Sequence, residues 1–226
     1  MSKNKYIFNS KISEAKFRDL LRSFAVDQTA SKTSLLVRLN VNTVERVFKL
    51  LRKRLADLAI AESSVALAGE FEVDESYFGA RRVRGKRGRG VVGKTPVFGL
   101  LKRNGNVYVQ IVKHCTKEEL IPIIQGKVLE SSTVYTDGWK AYDGLVLNGY
   151  THYRIYHSHN EFARGKNHVN GIESFWSFAK RRLNKFNGFT PNNFPIYLKE
   201  TEYRFNHRQD NVYLLLLKDL RKTPLR

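Results

Sequence analysis

Gly69-Glu70-Phe71-Glu72-Val73-Asp74-Glu75-Ser76-Tyr77-Phe78-Gly79 is the stretch whose reading decides the fold. Between its two glycines apolar and polar residues alternate, the period of two that a half-buried strand requires. Asp74 stands in the middle of that strand. Two more acids occupy different local settings: Asp137 closes the apolar run Val134-Tyr135-Thr136-Asp137-Gly138-Trp139, and Glu173 opens the helix-like Ile172-Glu173-Ser174-Phe175-Trp176-Ser177-Phe178-Ala179-Lys180. Asp137 follows Asp74 by 63 positions, Glu173 follows Asp137 by 36, and Lys180 follows Glu173 by 7. Two strand positions and one helix start can meet only through folding.

Downstream of this strand the pattern continues as strands and turns. Val97 to Lys102 is apolar, Asn104-Gly105 is a two-residue hairpin signal, and Val107 to Val112 follows. Thr116 to Glu119 fits a T-x-x-E capping box and predicts a helix from Lys117 to Gln125, interrupted in its middle by Pro122. Thr133 to Thr136 and Thr151 to Tyr156 read as strands, with a helical or turn segment from Trp139 to Leu147 between them. Helices from about Val169 to Lys185 and from Asn193 to Asn206 complete the order β-β-β-α-β-α-β-α. That order is the one found in ribonuclease-H-like folds. Such folds keep their metal ligands on the first strand, at the end of the fourth and on a helix after the fifth, where the three acids fall. The predicted class is α/β: a ribonuclease-H-like mixed sheet flanked by helices, with an N-terminal all-α head.

Upstream, Ile12 to Ala68 contains no Gly or Pro and has helical periodicity. Thr29 to Leu39 carries Leu35, Leu36 and Leu39; Asn40-Val41-Asn42 interrupts; Thr43 to Leu58 resumes with Val44, Val47, Phe48, Leu51, Leu55 and Leu58 at spacings of three and four. Two helices joined by a short polar turn give a helix-turn-helix outline over about 29–58, and Arg46, Lys49, Arg52, Lys53 and Arg54 lie on its second helix. An ordinary amphipathic hairpin with solvated basic residues is the alternative. The predicted domains are therefore a helical DNA-binding head (1–68), a catalytic domain (69–210) and a C-terminal tail (211–226).

Forty Lys+Arg against 21 Asp+Glu give a net charge of +19 and a pI near 10.1 over 226 residues. Solubility needs far less, so a polyanion is the expected partner. The longest apolar run, Val212 to Leu217, is six residues, against the ~20 of a spanning helix. The basic start lacks the apolar region of a secretory signal, and the single cysteine, Cys115, excludes an internal disulfide and a cysteine zinc ribbon. A cytoplasmic, nucleoid-associated bacterial protein is expected, with Cys115 a small buried apolar side chain. A basic, glycine-rich segment follows the first strand and holds Arg81, Arg82, Arg84, Lys86, Arg87 and Arg89 with no acid among them. Its place just after Asp74 suggests a substrate clamp. It lacks the frame of a nucleotide-binding phosphate loop.

In-line phosphodiester cleavage needs an activated nucleophile and charge relief on the leaving oxygen, which two Mg²⁺ ions ~3.5–4 Å apart provide together. Hard cations prefer carboxylate oxygens. Asp74 is the candidate bridging ligand, with Asp137 and Glu173 each holding one ion; Mn²⁺ is a plausible substitute. On the helix, Ile172, Phe175, Trp176, Ala179 and Leu183 form one apolar stripe, while Glu173 and Lys180 share its flank. Lys180 and Arg181 are thus candidates to touch the same DNA strand. Taken alone, both would read as exposed residues of an amphipathic helix.

The motifs Gly69 to Gly79, Tyr135-Thr136-Asp137-Gly138-Trp139, and His168-Val169-Asn170-Gly171-Ile172-Glu173-Ser174-Phe175-Trp176 with Lys180 resemble the DDE transposases of bacterial insertion sequences. The likeness is closest to the small group whose catalytic domain opens with D-E-S-Y-F-G. The resemblance spans roughly Gly69 to His207. It implies a transposase that nicks the ends of its element and joins the freed 3′ hydroxyls to target DNA. It also implies a divalent metal and a homodimer or larger complex on double-stranded DNA, pairing terminal inverted repeats. Two departures stand out. Many relatives carry an N-terminal zinc ribbon that this chain cannot form, and some treat the equivalent of Asn170 as the third metal-site residue. Glu173 is favoured because a carboxylate binds Mg²⁺ better than an amide, and because the 35-residue interval and the lysine seven positions on both count from it.

His152, His157, His159 and His168 cluster in sequence without the spacing of a zinc site. Glu75 and Asp143 are read as neighbours of the site rather than ligands, and Trp139, Trp176, Tyr77 and Phe78 as core rather than base-stacking platforms. The rival functions are a ribonuclease-H-fold nuclease or resolvase without strand transfer, a non-catalytic DNA-binding regulator and, last, a basic RNA-binding protein.

Overall fold

The computed structural model describes residues 4–79, 94–137, 142, 145–155, 169–186 and 190–226. The chain divides into two compact units: Met1–Leu58 with His207–Arg226, and Ala59–Asn206. The sequence predicts a boundary at 68 and a C-terminal tail over 211–226. In the structure the division falls inside a helix, and the C-terminal residues return to the first unit.

The first unit is helical. Ser13 caps α1 (Glu14–Ala25) by accepting from the Lys16 amide, and Thr29 caps α2 (Ala30–Val37) by accepting from that of Lys32. Arg38 ends α2 in the left-handed region, and α3 (Val41–Glu62) begins three residues later. Phe17, Leu20, Leu21 and Phe24 of α1 share a buried face, as do Val44, Val47, Phe48, Leu51 and Leu55 of α3, and the Phe24 and Phe48 rings meet edge-on at 5.0 Å. In α2, Leu35 and Leu36 are 80% and 70% exposed. The buried positions are Thr33 and Val37, one turn apart, so the adjacent leucines face outward. The expected tail is a helix, α7 (Val212–Lys222), capped by Asn211 and joined to α3 by Arg54 Nη1 to Asp219 Oδ2 at 2.8 Å. Beyond it Leu225 pairs in parallel with Ile7.

The second unit holds a five-stranded sheet in the order β3-β2-β1-β4-β5. Its strands are β1 (Glu70–Phe78), β2 (Thr95–Lys102), β3 (Val107–Ile111), β4 (Thr133–Asp137) and β5 (Thr151–Ile155). The first three form an antiparallel meander, while β4 and β5 run parallel to β1. This is the mixed sheet of a ribonuclease-H-like fold, with β1 at its centre. Asn104 takes the positive φ that the tight hairpin demands.

Alternation on the strands builds two cores. Phe71, Val73, Phe98, Leu100 and Val134 pack with Leu120, Ile121 and Ile124 of α4 (Lys117–Gln125), and with Tyr142 and Leu145. On the other face Phe78, Val97, Leu101, Val107, Val109 and Tyr135 pack with α5 (Asn170–Asn184) and α6 (Phe194–Asn206). The expected capping box on α4 is not formed. The Thr116 side chain makes no cap bond, and Glu119 instead accepts from the backbone amides of Lys113 and His114 at 2.7 and 2.9 Å. Side chains of α6 cover the exposed edge of β3: Asn206 bonds both backbone groups of Val107, and Glu202 accepts from the Val109 amide. Among the described residues no helix is long and apolar enough to cross a membrane.

Candidate functional site

The paired register of β1 and β4 ends at Val73 opposite Thr136, so Asp74 and Asp137 are the next residues on neighbouring parallel strands. On the opposite side Asp74 pairs with Gly99 of β2. A Cβ at Gly99 would lie 2.5 Å from Trp176 Cζ2, so the glycine leaves a notch that the indole fills. From there Trp176 Nε1 donates to Asp74 Oδ2 at 3.0 Å. Trp176 is core, as its sequence setting predicts, and it also orients the central carboxylate.

The electrostatics of Asp74 carry small contributions from both Asp137 and Glu173, the latter exposed on the first turn of α5. Burial raises its pKa from 3.8 to about 6, and the charges of Asp137 and Glu173 push the same way, against bonds from the Glu75 backbone and Trp176. Glu75, pointing to the other face of β1, is raised to about 9 by burial, with Asp74 and Asp137 adding to it. It therefore holds its proton at neutral pH. Tyr142 donates a hydrogen bond to Glu75 Oε1. Cys115 is buried as expected, and its thiol is pushed up to about 11 by burial and by Glu75.

Glu72 was not singled out from the sequence, yet it is the most fully buried acid on β1 and faces the same side as Asp74. Its Oε1 accepts from Arg103 Nε at 3.1 Å and its Oε2 from the Ile172 amide at 2.9 Å. Arg103 also bonds Glu70 and lies 3.6 Å from the centre of the Tyr135 ring. The available signal was its alternation with Asp74, which places both carboxylates on one face.

Of the residues expected to touch DNA, Arg46, Lys49 and Lys53 are exposed on α3. Arg52 is not: it is 8% exposed, its guanidinium within 6.0 Å of Phe24 and 5.7 Å of Phe48. Its aliphatic stem and flat cation complete the core of the first unit. Lys180, Arg181 and Asn170 are exposed on α5. Arg81, Arg82, Arg84, Lys86, Arg87 and Arg89 lie outside the described residues, as do Trp139, Asp143, His157, His159 and His168. His152 bonds Thr136 Oγ1 at 2.8 Å.

Among the described residues no three or more His, Cys, Asp or Glu side chains are grouped closely enough to hold a metal ion as they stand. The donor set nevertheless fits a hard cation. It is made of carboxylates alone, and the mutual repulsion and burial that raise the pKa of Asp74 are what a bound positive charge would relieve.

A family model described as an ISXO2-like transposase domain matches residues 66–206. An uncharacterized transposase-like protein of Haemophilus influenzae is 44% identical over 119 residues, which cover 53% of this chain and 96% of that protein. An uncharacterized protein in transposable element ISH50 of Halobacterium salinarum is 34% identical over 154 residues, 61% of this chain and 52% of the relative. Among solved structures, a chain of the simian T-cell lymphotropic virus intasome is 12% identical with a TM-score of 0.39, covering 63% of this chain and 49% of that one. That likeness is too distant to carry an argument.

Proposed function

The chain belongs to the ISXO2-like transposase domain family, and from that premise we propose that it nicks the ends of an insertion sequence and joins the freed 3′ hydroxyls to target DNA. The observation that supports the chemistry is the action of Asp137 and Glu173 on the half-buried carboxylate of Asp74. Asp74, Asp137 and Glu173 would hold two Mg²⁺ ions, with Mn²⁺ able to replace them. Bound there, the metal would supply charge neutralisation at the reacting phosphate and a more acidic nucleophile. The remaining work falls to the protein. Trp176 keeps the Asp74 carboxylate in one orientation through its indole N–H. Glu173 brings the third carboxylate from the first turn of α5. Lys180, two turns further along, contacts the phosphate backbone of the same strand and fixes its register.

End recognition falls to the first unit, where α2, the turn at 38–40 and α3 act as a helix-turn-helix. Arg46, Lys49 and Lys53 are exposed at spacings of three and four on α3, a single basic stripe suited to a groove and its phosphates. A homodimer on DNA would bring two element ends together.

The test incubates the full chain with Mg²⁺ or Mn²⁺, a pre-nicked duplex carrying the inverted repeat that flanks the gene, and a supercoiled plasmid. Joined products, lost in Asp74→Asn while salt-sensitive DNA binding persists, are the expected result. Cleavage without joining would make the protein a nuclease. Joining that survives Asp74→Ala would overturn the assignment of the site.

A further inference from the structure

The placement of α5 raises a physical question, because Glu173 can meet the other two acids only if the first turn of the helix is held at the right height along β1. The helix does not supply that hold itself. Its N-cap residue is Val169, which has no side chain able to satisfy the free amides of the first turn. The Ile172 amide, third in the helix, is the one that an N-cap side chain ordinarily bonds. Here the acceptor comes from a residue 100 positions away: Glu72 Oε2, at 2.9 Å.

Three features show that this contact is built. Glu72 is 1% exposed, and a buried carboxylate persists only with partners; Arg103 provides the second, at 3.1 Å from Oε1. Its negative charge sits at the positive end of the α5 dipole. Finally, Gly171 has no room for a side chain, since a Cβ there would lie 2.9 Å from Glu72 Oε2 and 2.4 Å from Leu101 Cδ2.

A second anchor follows one turn later, where Trp176 bonds Asp74. Glu72 and Asp74 are two apart on one strand face, and Ile172 and Trp176 are four apart on the helix. Two strand residues advance about 6.6 Å and four helical residues about 6 Å. The anchors match in pitch, and Glu173 lies between them.

We propose that Glu72, backed by Arg103 and admitted by Gly171, is a positioning residue that caps α5 from the neighbouring strand and so sets the Glu173 carboxylate against Asp74 and Asp137. It touches no reacting group. The inference deepens the transposase reading and rests on it for its functional consequence; the capping itself is measurable without DNA.

The experiment uses the full chain with Glu72→Leu, which removes the acceptor, Glu72→Gln, which keeps one acceptor oxygen, and Gly171→Ala, which crowds the contact while improving intrinsic helix propensity. Two readouts are taken at a temperature where each variant is folded. The first is amide hydrogen exchange across α5, where Glu72→Leu and Gly171→Ala should speed the Ile172 and Glu173 amides at least tenfold relative to the second half of the helix. The second is Mn²⁺ binding followed by electron paramagnetic resonance, where both variants should weaken binding by about 10–100-fold, as lost outer-layer partners do, with Glu72→Gln in between. Unchanged exchange at Ile172 would overturn the proposal, and so would faster exchange with wild-type Mn²⁺ affinity, which would leave Glu72 a mere stabiliser of the fold. If Glu72→Leu does not fold, Gly171→Ala decides by the same two criteria. Wild-type protein that binds no Mn²⁺ and joins no DNA would remove the transposase mechanism, while the exchange data would still decide whether Glu72 holds the first turn of α5.

Discussion

Replacing Asp74 with asparagine should stabilise the metal-free protein even as it removes catalysis. The carboxylate has been moved from 3.8 to about 6, and at about 1.4 kcal/mol per pH unit its ionised form costs the folded state about 3 kcal/mol. The amide oxygen of asparagine can still accept from Trp176, while the bond from the Glu75 backbone is at risk, at about 1 kcal/mol. Partial exposure and salt reduce the electrostatic part further, so the net gain at pH 7.5 is about 1–2 kcal/mol. For a domain of this size that corresponds to roughly 3–6 °C in Tm.

The sign with pH follows from linkage. A carboxyl group whose folded pKa lies above its unfolded value imposes no penalty below the unfolded value, a growing one between 3.8 and about 6, and the full one above. The advantage of Asp74→Asn should therefore be nearly gone at pH 4, rise through pH 5 and level off above pH 6 to 7. Thermal unfolding by circular dichroism in EDTA, for both proteins across that range, is the assay. A variant no more stable than wild type at pH 7.5, or a difference independent of pH, would refute the idea that Asp74 is held at an electrostatic cost.

Three other outcomes are expected. Gly99→Ala should destabilise by about 1–3 kcal/mol through overpacking, because its Cβ would lie 2.5 and 2.8 Å from Trp176 ring carbons; denaturant unfolding with a change in tryptophan emission checks it. Glu200, buried between Arg182 at 2.7 Å and Arg204 at 3.0 Å, should cost about 3–5 kcal/mol when changed to alanine, because two buried cations lose a carboxylate partner; urea titration measures this. Replacing Lys49 or Lys53 by alanine should lower DNA affinity for every sequence and reduce the slope of log affinity against log salt by about 1 per lost phosphate contact, whereas Arg52→Ala should act mainly on the stability of the first unit.

Local periodicity made much of this architecture readable. The alternation around Asp74, the Asn104-Gly105 turn and the apolar stripe of α5 each depend on neighbours in sequence, and the strands and helices they imply are the ones observed. The α4 helix has the predicted bounds although its predicted cap is not formed. What escaped reading depends on partners distant in the chain. Glu72 looked like one polar residue of an alternating strand, and only the arrival of Ile172, 100 positions later, gives it a role. The need for glycine at position 99 is likewise set by a distant residue, Trp176, whose ring fills the space above it. Arg52 carries a charge that composition assigns to the surface, yet its stem and flat cation pack on Phe24 and Phe48. Leu35 and Leu36 invited the opposite error, because the residues buried in that short helix are Thr33 and Val37.

The strand register also governs the order in which the proposed site is assembled. The β1–β2–β3 meander uses short-range contacts and can form as soon as it is synthesised, but Asp137 reaches Asp74 only when β4 inserts on the far side of β1, from more than sixty residues away. Glu173 comes later still, on a helix held to β1 by bonds that span about a hundred residues. Non-local pairings of this kind close slowly. A ribosome-bound or truncated chain ending before α5 therefore lacks Glu173, and the proposed site is complete only once α5 has docked on β1.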